Sequence, residues 1–151
     1  MPLLPKSYVD SMPCDPGLLV ELGRVTWAAA RLHAGVRDAI NALDAESSDE
    51  PFGWTLGEAV RQLDKRAQER GLIEVTEWVS TIGRPAVKRR NAVVHAVTYT
   101  AKDGRQAIGT ADHSPPGRFM NAGLRQVSGS LIHASKTLPR LDSQQVSRQA
   151  H

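Results

Sequence analysis

The feature that most constrains the fold is a stripe of apolar residues recurring at helical spacing near the start of the chain. Leu18, Leu22, Val25, Ala29, Leu32, Val36, Ala39 and Leu43 follow one another at alternating intervals of four and three. An α-helix turns about 100° per residue, so this alternation keeps one face apolar over about seven turns. A face of that length must be covered by other elements, which directs the chain toward helices packed on helices. Asp15 and Pro16, just ahead of the stripe, read as an N-cap and a proline at the first helical position. A polar segment, 45–51, closes the helix and ends in Pro51.

Further helices follow the same logic. Thr55 and Glu58 frame a capping box, Leu56, Val60, Leu63 and Ala67 continue on one face, and Gly71 suits the C′ position. A third stripe runs through Leu72, Val75, Val79, Ile82, Ala86 and Val93, with Gly83 and Pro85 predicting a kink. Val97–Thr100 and Gln106–Ile108 flank Asp103-Gly104, a tight-hairpin signal. Met120, Leu124, Val127, Leu131, Ala134 and Leu138 mark a last helix. The expected fold is all-α: an antiparallel four-helix bundle with helices at about 16–45, 55–70, 72–97 (kinked near 83–85) and 116–139, plus a small β-hairpin near 97–109. Residues 1–14, with three prolines and no periodicity, read as a flexible arm. Residues 15–141 read as a single domain, and the Ser/Gln-rich residues 142–151 as a disordered tail.

The 151 residues suffice for one hydrophobic core. The single cysteine, Cys14, excludes an internal disulfide and a cysteine-paired metal site. A cytoplasmic location is expected, because the N-terminus lacks the apolar core of a signal peptide. No stretch reaches the roughly 18 apolar residues of a membrane span. No His, Asp and Glu set has metal-ligand spacing, so neither a metal nor another cofactor is expected. Glycine-rich nucleotide-binding loops are absent as well.

Chemistry concentrates in the third helical stretch, where Arg90, Asn91 and His95 stand within six residues. Asn91 and His95 are four apart and project from one helix face, and the long Arg90 side chain can swing toward it. A guanidinium suits phosphate, and an imidazole can take and give a proton. Net charge is only +3, yet Arg84, Lys88, Arg89 and Arg90 gather four positive charges directly upstream of His95. Such a run reads either as a solvated helix face or as a phosphate-binding patch.

Arg90-Asn91, three intervening residues and His95 resemble the Arg-polar-x-x-x-His signature of the HEPN superfamily, the small helical domains of prokaryotic toxin–antitoxin and phage-defence systems. The resemblance covers roughly residues 15–140 in architecture, and the six-residue motif is its specific part. It implies a metal-independent endoribonuclease acting as a homodimer, with two motifs meeting across a two-fold axis. Arg90 would bind the scissile phosphate. His95 would serve as general base on the ribose 2′-hydroxyl or general acid on the leaving oxygen, and Asn91 would orient either. An antitoxin or defence-operon protein is the implied partner.

The chemistry alone points the same way, since attack by a 2′-hydroxyl needs a proton acceptor, a proton donor and a cation at the phosphorane. One motif supplies one histidine and two copies supply both, so dimerisation would complete the site. Arg84, Lys88 and Arg89 are expected to bind RNA. His113, in the irregular stretch after the hairpin, and Tyr99, four residues past His95, are auxiliary candidates. The competing reading is a catalytically inactive helical module that binds a protein or nucleic acid through the same patch, with His95 a helix-end residue and Arg90 in an ion pair. His33 and His133 are expected at the margins of helix stripes, and Trp27, Trp54 and Trp78 as core or interface anchors.

Overall fold

Asp15 begins the longest element of the chain as the sequence predicts: its carboxylate accepts from the backbone N–H of Gly17 at 2.9 Å and of Leu18 at 3.2 Å. The computed structural model describes residues 3–12, 15–45, 53–100, 102–110, 117–119 and 121–141. In chain order these form α1 (Lys6–Asp10), α2 (Pro16–Asp44), α3 (Leu56–Glu69), α4 (Ile73–Trp78), a π-helical turn (Val79–Gly83) and α5 (Arg84–Val94). Three strands follow, β1 (Val97–Thr100), β2 (Gln106–Thr110) and β3 (Gly117–Phe119), then α6 (Asn121–Thr137). The described chain is thus mostly helical with a small antiparallel sheet.

The apolar stripes become the core. Leu32, Val36 and Ile40 of α2, Val60 and Leu63 of α3, Val75, Val79, and Leu124 and Leu131 of α6 are the largest fully buried side chains. Each such leucine contributes roughly 1.5–3 kcal/mol by leaving water. Helix α2 packs along α6 and against α3, while α5 lies against α3 and α6. Polar ties reinforce the α2–α6 contact. Glu21, 3% exposed, accepts at one oxygen from Arg24 and from Arg125 of α6, both at 2.7 Å.

Helix α3 ends as its sequence predicts. Gly71 has φ +66, Gly71 N–H bonds Gln68 O at 3.2 Å and Leu72 N–H bonds Ala67 O at 2.9 Å. These are the paired bonds of a Schellman motif, with buried Leu72 following the turn. Its start forms half of the capping box: Glu58 N–H reaches Thr55 Oγ1 at 3.2 Å, while the Glu58 carboxylate is engaged by Arg61 instead.

Several expected boundaries move. Where a kink is expected near 83–85, the chain instead forms a π turn just upstream, at Val79–Gly83, where Arg84 N–H bonds Val79 O, five residues back. Pro85 supplies no N–H and its ring crowds the carbonyl of the preceding turn, so the widening falls upstream of the proline. The third helix stops at Val94 with His95 as its C-cap, rather than running to 97.

The sheet is larger than a hairpin. β2 pairs with β1 through Thr98↔Ile108 and with β3 through Gly109↔Arg118. Residues 101–105 separate the paired Thr100 and Gln106, a longer connection than a two-residue turn, with Gly104 at φ +79. The last helix therefore begins at Asn121 rather than near 116, because 117–119 complete the open edge of β2. Within the expected flexible arm, Lys6–Asp10 forms a short helix with no buried residue.

Candidate functional site

The side of α5 that faces α3 holds a cleft of about 590 Å³, lined by Gly57, Val60 and Arg61 of α3, by Arg84, Val87, Lys88, Asn91 and Ala92 of α5, and by His95. Lys88, Asn91 and His95 are spaced three and four apart, so helical geometry brings them to one side. Asn91 and His95 thus share a face as their spacing predicts. His95 occupies the C-cap with φ −89 and ψ 3, its N–H held by Asn91 O at 2.9 Å, and its imidazole is exposed.

Arg90 is half-buried and lies outside the set of cleft-lining side chains. It stands about 100° round the helix from Asn91 and reaches back, its Nη1 donating to Asn91 Oδ1 at 3.1 Å. With the carbonyl end of the amide so engaged, the Asn91 nitrogen remains as a donor for the cleft. Arg90 and Asn91 are therefore joined through their side chains, and Asn91 and His95 through the helix backbone.

The positive charges expected to act together are divided among different surroundings. Arg84 donates to Asp64 Oδ2 at 2.6 Å, and the Asp64 side chain is 9% exposed. Arg61 grips Glu58 through two bonds of 2.8 and 2.6 Å. The hydrogen bonds from Arg61, then that from Gln62, hold the Glu58 carboxyl down at about 2 from its ordinary 4.5, against desolvation. It therefore stays ionised, and its charge offsets Arg61 at neutral pH. Lys88 has no ion-pair or hydrogen-bond partner among the described residues, so it carries the uncompensated charge of the cleft.

Arg89 does not join them. It lies about 200° from Asn91 on the helix, lines a different groove toward α6, and donates to Ser130 Oγ at 2.6 Å. Tyr99 is on β1, 41% exposed, and is not among the cleft-lining residues. His113 falls outside the described residues.

Gly57 and Arg61 were not singled out by the sequence, although their four-residue spacing on the flank of the α3 stripe was the available signal. The tryptophans divide. Trp78 is 3% exposed, Trp54 packs against the core under Arg66 at 5.8 Å, and Trp27 is 72% exposed. His33 is half-buried at the margin of its stripe, whereas His133, expected at a boundary, is exposed. Among the described residues no group of three or more His, Cys, Asp and Glu is placed to hold a metal ion, and no helix is long and apolar enough to cross a membrane. Neither a protein-family model, nor a curated protein, nor a solved structure matches this chain.

Proposed function

We propose that the chain is a metal-independent endoribonuclease of HEPN type, a four-helix bundle acting as a homodimer whose composite site joins two copies of Arg90, Asn91 and His95. The observation that carries this reading is the cleft itself. It sets an exposed imidazole, an amide donor and an uncompensated ammonium along one side of α5. His95 would move the proton of the ribose 2′-hydroxyl or of the leaving oxygen. Lys88 and the Asn91 amide would hold phosphate oxygens, with Arg90 fixing the orientation of that amide through its bond to Asn91 Oδ1. Exposed Val94, Val97 and Tyr99 beside His95 support a second copy covering this end of the helix, because burial of adjoining apolar side chains favours association.

The expected products are a 2′,3′-cyclic phosphate and a 5′-hydroxyl. A toxin or phage-defence role, cytoplasmic, with an antitoxin or operon partner, follows from the family resemblance. RNA incubated with the protein in EDTA tests the reading. Cleavage that persists and is lost in His95→Ala and Arg90→Ala supports it. Cleavage that needs the metal and survives both substitutions contradicts it.

A second reading is favoured by the place of Arg90 outside the cleft-lining set. In it, the domain binds RNA or a protein partner through the same surface without turnover. It is distinguished by salt-sensitive RNA binding without products.

A further inference from the structure

On the far side of α5, a groove of about 390 Å³ runs between the π turn and α6, and Thr81, Pro85, Arg89, Gly129, Ser130 and His133 are among its lining residues. Its electrostatics differ from those of the His95 cleft. Arg61 and Arg84 each bond a carboxylate, whereas the partner of Arg89 is the neutral hydroxyl of Ser130. Among the described residues none of those lining the groove is acidic, so no carboxylate there offsets the Arg89 charge.

The guanidinium is also held in place. Ser130 Oγ accepts from Arg89 Nη1 and donates to Gln126 O at 3.0 Å, so both its hydrogen-bonding roles are used in fixing the arginine. The remaining N–H groups of Arg89 stay available to a ligand. His133 stands three residues beyond Ser130 on α6, and its imidazole has no hydrogen-bond partner among the described residues. Gly129 leaves the floor open, since a Cβ there would meet nothing within 4 Å. Thr81 and Ile82 of the π turn form part of this wall, and such turns recur at functional sites.

We propose that this groove is a second phosphate-binding subsite, in which Arg89, positioned by Ser130, and His133 hold one phosphate group about 120° round the helix from His95. A planar fork beside an imidazole donor matches two oxygens of a phosphate better than a chloride. That the phosphate belongs to the RNA strand entering the His95 cleft rests on the ribonuclease reading; the subsite itself does not.

The full chain, with its histidine ring resonances followed by NMR, provides the test, using inorganic phosphate against chloride at equal ionic strength and then a short single-stranded RNA. Phosphate is expected to shift the His133 ring signals saturably, with the shift lost in Arg89→Ala, weakened in Ser130→Ala and retained in part in Arg89→Lys. No phosphate response at His133, or one unchanged in Arg89→Ala, overturns the subsite. RNA is expected to move both His95 and His133, and Arg89→Ala to make the logarithmic salt dependence of RNA binding shallower by about 0.7. RNA that moves His95 alone overturns the assignment of the groove to the RNA strand. RNA that moves neither ring, beside an intact phosphate response at His133, supports the subsite and contradicts the ribonuclease reading.

Discussion

A Cβ built on Gly83 would stand 2.8 Å from Trp78 Cζ3, so the indole occupies the space that any larger residue at 83 would need. Trp78 is anchored in turn, its Nε1 donating to Ala134 O at 3.2 Å and to Thr137 Oγ1 at 3.3 Å at the end of α6. The π turn thus delivers α5, and with it the candidate site, from a point clamped to α6. Gly83→Ala is expected to destabilise the fold by about 1–3 kcal/mol through overpacking against a ring that cannot retreat. Urea unfolding monitored by tryptophan fluorescence would read this, and unchanged stability would mean the ring is not held.

Ala45 ends α2 with φ 53, a left-handed conformation that costs an L-residue roughly 1–2 kcal/mol. Ala45→Gly removes that strain and adds some unfolded-state entropy. The expected net gain is about 0.5–1 kcal/mol. A rise in Tm by calorimetry is the outcome sought, and a fall would show that Ala45 is not strained.

Arg84 and Asp64 form a neutral pair at the cleft wall. Asp64→Asn leaves Arg84 with its full charge there. RNA affinity should rise, and the logarithmic salt dependence should steepen by about 0.7 for one added phosphate contact to a single strand. Fluorescence anisotropy over a range of salt concentrations measures both. An unchanged slope would place RNA elsewhere.

Glu21 gives the acid limb of stability a direction. The hydrogen bond from Arg125 is the main reason its carboxyl lies below the ordinary 4.5, with Arg24 adding to it against desolvation. A depressed folded-state value means the contribution is present above the unfolded value and is lost as pH falls below 4.5 toward the lowered one. Glu21→Gln should therefore lower Tm at neutral pH and flatten the decline below pH 4.5. An equally steep acid limb in the variant would assign the effect to other carboxylates.

The helices were legible because burial in them follows period. Val25 and Ala29 are buried, whereas Trp27, about 200° away from Val25, is exposed despite its apolar ring. Residue type suggested a core or interface anchor, and helical phase takes Trp27 out of this chain's own core. β3 was not legible, since its three residues become a strand only when β2 offers an open edge. The basic run read as one patch because adjacent charges in sequence look adjacent in space. On a helix, Lys88 and Arg89 diverge by about 100°, and the carboxylates that neutralise Arg84 and Arg61 come from α3. The Asn91–His95 pairing survived because a four-residue interval is itself a helical contact.

Subunit mixing distinguishes a site shared between two copies from two independent sites. RNA cleavage in EDTA is measured for wild-type protein, for His95→Ala, and for an equal mixture of the two after exchange of subunits, all at one total concentration. If both His95 residues are needed in each dimer, random pairing leaves about a quarter of the dimers competent, and the mixture should retain about a quarter of wild-type activity. His95→Ala alone should lose about 10²–10⁴-fold. Retention of about half the activity would mean that each copy cuts alone, and it would contradict the shared site.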